Sequence, residues 1–405
     1  MSEPVGKRTN DTKLHAGRPE LRSADCTYGV TPTRLPKIAA RICNRSSIQP
    51  HAAGVVKEHS RPLDHRSGDS LFLVWGPLSY GPRSRAFARE LGIEVRFVYS
   101  TRRRGLLSAT YKYGHQALKT LWLLARRRPS VVFVQSPPSF AAMIVWLYCS
   151  LTNGHFVVDA HSAAMQSPYW TRPLWLYRHL ARRAVTTIVT DEHYARTLRR
   201  WGGHALVVRD IPTSFPAGAT YPVEGTFNVL VVNTFAPDEP LSEVMMAAQS
   251  LREVVLYVTG DASRMGRRLR PDVPTNIRFT GYLPDESYYA LMAASDAVMC
   301  LTTRDHTMQR GACEALSLGK PIITSRWPLL EGYFSRGTVH VDNTANGIRD
   351  GVREMVRHHS RYKAEIEQLQ IEQRHEWESV VTTLVSLLDR SLAGRGAGGT
   401  KREGS

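Results

Sequence analysis

A chain of 405 residues exceeds one compact domain and suits two domains with polar tails. Its formal net charge of +17 favours an anionic partner, whether nucleic acid, a phosphorylated ligand or acidic lipid headgroups, and a basic solvated surface accounts for the same excess. Five scattered cysteines without a CxxC pair exclude a disulfide framework and a zinc cluster; the longest apolar run, 140–151, is shorter than the roughly 20 residues of a bilayer span.

Residues 1–69 mix Arg, Lys, Ser, Pro, Gly, Asp and His without sustained periodicity. Burial there cannot offset chain entropy, which predicts a disordered basic tail or an overlong gene start. No apolar core of a signal peptide is present, and the scattered thiols suit a reducing cytosol.

Apolar runs of strand length follow at 71–75, 94–99, 131–135, 156–159 and 187–190. Helical stretches begin near Arg83 and cover 111–127, 140–151 and 172–183. Continuous apolar strands alternating with helices predict an α/β fold with a parallel, doubly wound sheet covered on both faces. The Pro-, Gly- and Thr-rich stretch 211–225 reads as a domain linker.

A second alternating series then begins. Strands are expected at 228–233, 254–260, 276–283, 296–302, 321–324 and 338–342, with helices at 241–251, 285–294 and 310–318. Residues 344–392 are long, charged and helical in pattern. The predicted organisation is a tail over 1–69, Rossmann-like domains over 70–222 and 223–370, a helix over 371–392 returning to the first domain, and a disordered tail over 393–405.

The most informative stretch is TTRDHTMQRGACEALSLGKPIITS, residues 302–325. Ala312, Ala315 and Leu316 stripe one helical face, while Gly319 and Pro321 end the helix. Free N–H groups at the helix start can hold phosphate oxygens, with Gly311 allowing close approach and Arg310 adding charge. Glu314, one turn deeper, can accept both hydroxyls of a ribose. These parts suit a nucleoside diphosphate, and a plain Rossmann strand–loop–helix has the same spacing.

The longer run GYLPDESYYALMAASDAVMCLTTRDHTMQRGACEALSLGKPIITS resembles the donor-binding half of family 4-type GT-B glycosyltransferases, above all at Glu314–Ala315, Gly319 and Pro321. The resemblance is strong over 228–345 and weaker over 71–210. It implies two Rossmann-like domains facing across a cleft, a nucleotide-sugar donor on the second, and an acceptor on the first. The implied donor set is Asn233, Thr234, Gly260, Tyr282, Asp305, Gln309, Arg310, Gly311 and Glu314. A family glutamate that faces the donor sugar would fall at His306, so His306 or Asp305 must cover its role, or the role is lost. The family's Arg and Lys after the first strand of the second domain are missing. That region, NTFAPDEPLSEVMMAA, is similar instead to the chitobiosyldiphosphodolichol beta-mannosyltransferases, as are FVQSPPSFA and VVDAH. The likeness places Asn233, Thr234 and Phe235 on the donor phosphates through backbone amides and a hydroxyl, with Arg209 or Arg310 supplying charge.

In the first domain Asp159 and His161 close a strand's C-terminal end, where open α/β sheets bind ligands. Either can serve as general base on an acceptor hydroxyl, and either can instead be a cap or a structural histidine. The loop carrying Gly76, Ser79 and Gly81 resembles the family's phosphate or acceptor loop. Arg102 to Arg104, Lys112, Lys119 and Arg126 to Arg128, interleaved with Leu121, Trp122 and Leu124, suit a lipid-linked acceptor at an anionic membrane face.

No Asp-x-Asp, P-loop, G-x-S-x-G or HExxH occurs. Neither a metal nor any other cofactor is expected, since the nucleotide-sugar is a substrate. The expected activity is transfer from a UDP- or GDP-sugar to a lipid-linked or saccharide acceptor in polysaccharide or glycoconjugate synthesis. The expected place is the cytoplasm or, peripherally, the inner face of the cell membrane. No nucleic-acid partner is expected. The alternatives are a GT-B epimerase or hydrolase, and a non-catalytic basic protein binding membrane or nucleic acid.

Overall fold

The computed structural model describes residues 70–77, 81–100, 106–213, 215, 218–261, 263 and 273–396. The tail over 1–69, Ser79 and Arg102 to Arg104 lie outside the described residues. Among the described residues no helix is long and apolar enough to cross a membrane.

The first lobe runs β1 (Ser70–Val74), α1 (Pro82–Leu91), β2 (Glu94–Phe97), α2 (Leu106–Arg127), β3 (Val131–Ser136), α3 (Ser139–Thr152) and β4 (His155–Ala160). It continues through α4 (Ser162–Gln166), α5 (Pro168–Thr171), α6 (Leu174–Arg183), β5 (Thr186–Val189), α7 (Glu192–Arg200) and β6 (Ala205–Val207). Its strands lie in the order β2-β1-β3-β4-β5-β6, all parallel. Strand alternation explains why β1 is apolar throughout. Leu71 and Leu73 enter the core under α2, α3 and α6, while Phe72 and Val74 enter the opposite core with Phe87 of α1.

The second lobe runs β7 (Phe227–Val231), α8 (Leu241–Ala248), β8 (Val254–Thr259), β9 (Ile277–Gly281), α9 (Asp285–Ala294), β10 (Ala297–Cys300) and α10 (Arg310–Ser317). It ends with β11 (Ile322–Ser325), α11 (Pro328–Tyr333), β12 (Thr338–Val341), α12 (Ala345–Arg357) and α13 (His359–Gly396). This sheet is also parallel, in the order β12-β11-β10-β7-β8-β9. Its order reverses between β7 and β10, the kind of switch point that opens a crevice at the strands' C-terminal ends.

Helix α13 belongs to both cores. Ile366 and Leu369 pack in the second lobe, and Trp377, Val381, Leu384 and Leu388 pack against Phe72 and Phe87 of the first.

Several elements depart from expectation. The stretch 344–392 is two helices meeting at His358, which takes a non-helical backbone (φ −120°, ψ 26°). Helix α13 continues to Gly396, where a disordered tail was expected from 393; adding residues to an existing helix is far easier than starting one. Helices α4, α5, α7 and α11 and strand β6 are too short or too polar to stand out as periodic runs.

Candidate functional site

Three features gather at the β7/β10 switch point. The first is the loop after β7. Asn233 donates its backbone N–H to Thr259 Oγ1 and accepts that of Phe235 on Oδ1. The Glu239 carboxylate then accepts from the Thr234 N–H (2.8 Å), the Thr234 hydroxyl (2.9 Å) and the Ala236 N–H (2.9 Å). Phe235 takes a positive φ of 59° to close this turn. The donors expected to meet donor phosphates therefore hold an internal carboxylate. Asp238 ties the loop to the end of β10 through the Thr302 hydroxyl (3.0 Å). Gly260, at φ 99°, must be glycine, because a Cβ there would lie 2.4 Å from the Asn233 carbonyl oxygen.

The second feature is α10. Its first intrahelical acceptor is Gln309, which takes the Cys313 N–H. The N–H groups of Arg310, Gly311 and Ala312 thus have no partner within the helix, and Gln309 supplies no side-chain cap. Gly311 is required for a different reason than ligand approach. A Cβ on it would meet Cys300 Sγ and Val232 Cγ1, both at 2.8 Å, so the glycine lets α10 press against the ends of β10 and β7.

The third feature is a buried charge network. Arg310 Nε donates to Glu314 Oε1 (3.0 Å), and its guanidinium reaches Asp210 (3.4 Å) and the Thr213 hydroxyl (2.6 Å). Tyr288 donates to Glu314 Oε2 at 3.0 Å and Tyr289 to Oε1 at 3.3 Å. Both oxygens of Glu314 are thus engaged, and the residue is buried. Burial pushes Glu314 and Asp210 above the usual carboxylate range, and Arg310 offsets only part of that. The tyrosines are raised by burial and by the Glu314 charge beside them.

In the first lobe Asp159 is fully enclosed at the end of β4. It pairs with His161 Nε2 (3.2 Å), stands 3.7 Å from Arg83 Nε, and accepts from Ser84 Oγ, whose main partner is Gln135. Burial raises the Asp159 carboxyl, but His161, Arg83 and Ser84 together outweigh that and hold it below its ordinary value. Asp159 is therefore placed to orient His161, whose other ring nitrogen, Nδ1, stays available. Gly76 lies in the bend two residues after β1, and Gly81 caps α1 against the Phe97 ring.

The lobes meet at the loop between β10 and α10. His306, at φ 53°, pairs through Nδ1 with Asp191 Oδ2 (2.5 Å) and stacks on His193 with centroids 4.2 Å apart. Gln166 donates to the Asp305 carbonyl (3.1 Å) and Thr307 Oγ1 (3.0 Å), and Tyr194 donates to the His306 carbonyl (3.2 Å). The structure thus brings His306 and Asp305 onto the first lobe. Tyr282, by contrast, is 72% exposed.

Residues 58–213 match the family described as glycosyl transferase 4-like domain, and residues 242–386 match the family described as glycosyl transferase-like. The chain belongs to the family 4-like GT-B glycosyltransferases. No curated protein sequence matches it. Among solved structures, this glycosyltransferase is similar to sucrose-phosphate synthase from Thermosynechococcus elongatus. That match has a TM-score of 0.59 and 15% identity over 80% of this chain and 100% of the other. It is similar to Anabaena HepE in complex with UDP and glucose, with a TM-score of 0.58 and 14% identity over 80% and 99% of the two chains. A third likeness, to a putative UDP-N-acetylglucosamine 2-epimerase from Listeria monocytogenes, has a TM-score of 0.54 and 9% identity over 74% and 90%.

Sequence reasoning about the glycosyltransferase missed several residues. Glu239 stood in the PDE motif without a role. Asp191, Gln166 and Tyr194 carried no local signal, because their partners come from the other lobe. Tyr288 and Tyr289 are adjacent tyrosines on α9, and only the fold shows that both reach Glu314.

Proposed function

We propose that the enzyme transfers a sugar from a nucleoside diphosphate donor to a hydroxyl acceptor, a saccharide or lipid-linked precursor. The observation that carries this reading is the α10 N-terminus with Arg310 and Glu314 at the switch point of the second sheet. In the reaction, the bond from the sugar's anomeric carbon to the donor phosphate oxygen breaks. A bond from that carbon to the acceptor oxygen forms, and the diphosphate leaves with the electron pair. The α10 amides without an intrahelical partner would stabilise the departing charge, while Arg310 stays engaged by Glu314, Asp210 and Thr213. His161, oriented by Asp159, would take the acceptor proton or contact the donor sugar. For Glu314 to hold the ribose, one present partner must yield; Tyr289, with the longest contact, is the one expected to move. The UDP complexes of HepE support a nucleotide donor in this fold.

Thermal-shift screening against UDP, GDP and their sugars tests the reading. A true ligand at 100 times its Kd stabilises the protein by about 2.7 kcal/mol. No shift with any nucleotide would remove the donor assignment. Turnover of donor alone would favour hydrolysis or epimerisation instead.

A further inference from the structure

Apart from Met246, Tyr282 and Ile371, every large hydrophobic residue left exposed among the described residues falls between Tyr111 and Trp175. These residues lie on α2, α3, α5 and α6. Helices α2, α3 and α6 share one core over one face of the first sheet, with Leu124, Val145 and Leu180 turned inward. On the outside, Tyr111, Trp122, Tyr169 and Trp175 are each exposed by between 65% and 71%. Exposed apolar rings gathered on one layer of helices mark an interaction surface.

The charge on this face is one-sided. Between Glu94 and Asp191 the only acidic residue is Asp159, and it is buried. Lys119 and Arg126 lie exposed on α2, and Arg172 and Arg178 lie exposed around α6. Arg126 sits over the Trp122 ring at 6.0 Å. Exposed Trp and Tyr with flanking cations match a lipid headgroup region, where amphipathic rings settle and each cation adds about 1 kcal/mol.

We propose that the outer face of α2, α3, α5 and α6 docks this enzyme on an anionic lipid bilayer. Helix α3 directly follows β3, and α4, α5 and α6 follow β4, whose end carries His161. Docking there would hold the acceptor side of the cleft near the membrane. That last consequence rests on the proposed glycosyl transfer, whereas the docking itself does not.

The test is co-sedimentation of the full chain with phosphatidylcholine vesicles, with and without phosphatidylglycerol. The variants are Trp122→Ser, Tyr169→Ser and Trp175→Ser combined and, separately, Lys119→Gln with Arg126→Gln. The expected result is binding only to the anionic vesicles, weakened by high salt, and lowered about tenfold or more by each variant set. Equal binding to both vesicle types, or unchanged binding by the variants, overturns the proposal. So does competition by RNA that the aromatic substitutions leave intact. Nucleotide-induced thermal shifts of the same variants should equal the wild type's, which separates loss of docking from loss of the donor site.

Discussion

His306 Nδ1 and Asp191 Oδ2 lie 2.5 Å apart and join the loop leading into α10 to the start of α7 in the other lobe. Asp191 serves both sides, since its Oδ1 also accepts the His193 N–H and caps α7. His306 thus holds the loop leading into α10 against the first lobe. That relationship gives a first prediction. Asp191→Asn keeps an acceptor for the cap, so unfolding free energy should change by under about 1 kcal/mol. Transfer should nevertheless fall about tenfold or more in kcat/KM, because a misplaced loop costs reaction geometry. Steady-state kinetics beside denaturant unfolding check this; unchanged kinetics contradict it.

The Asp210–Arg310–Glu314 network predicts asymmetric costs. Arg310→Met leaves two buried carboxylates together and should destabilise by about 3–5 kcal/mol. Glu314→Gln keeps hydrogen-bonding atoms and removes one of two negative charges around a single guanidinium, so its cost should be about 1 kcal/mol or less. Urea unfolding of both variants measures the difference.

The same network sets a pH trend. Asp210 and Glu314 have folded-state values raised above 3.8 and 4.5, first by burial. Above those ordinary values the folded state holds more protons than the unfolded chain, so their contribution to stability falls as pH rises through the raised values. Glu314→Gln should flatten that slope. Asp159 has the opposite sign: its lowered carboxyl contributes above its ordinary 3.8 and loses that contribution as pH falls through the folded value. Asp159→Asn should remove the acid-side loss while lowering transfer by about a hundredfold or more, through disorientation of His161. Unfolding curves across pH, paired with kinetics, read both effects.

Glu239 predicts a loop effect. Glu239→Gln places an amide donor among three donors and should cost about 1–3 kcal/mol. Fluorescence-monitored unfolding decides it, and a cost near zero would show that the carboxylate is dispensable to the turn.

Both sheets were legible because parallel strands covered on two faces are continuous apolar runs. Leu71 to Trp75 and Asn228 to Val232 stand out without any knowledge of partners. The order of the strands was not legible, since nothing within β7 tells that it lies between β8 and β10. The start of α10 could be read from Gly319 and Pro321 at its end and the alanine stripe within it. What surrounds Glu314 could not: Tyr288 and Tyr289 arrive from α9, and Asp210 with Thr213 from the connection between lobes. Gly311 was read as room for a ligand, but the space is filled by Cys300 and Val232, which only packing reveals. Likewise the amides after Asn233 look free in sequence until Glu239 is seen folding back on them.

Calorimetric titration of UDP and GDP into the wild-type enzyme and a Glu314→Ala variant tests the central claim most directly. Saturable binding of one nucleotide to the wild type, weakened about tenfold or more in the variant, is the predicted result. Binding of equal strength to both proteins, or of neither nucleotide to the wild type, would contradict a donor site at the start of α10.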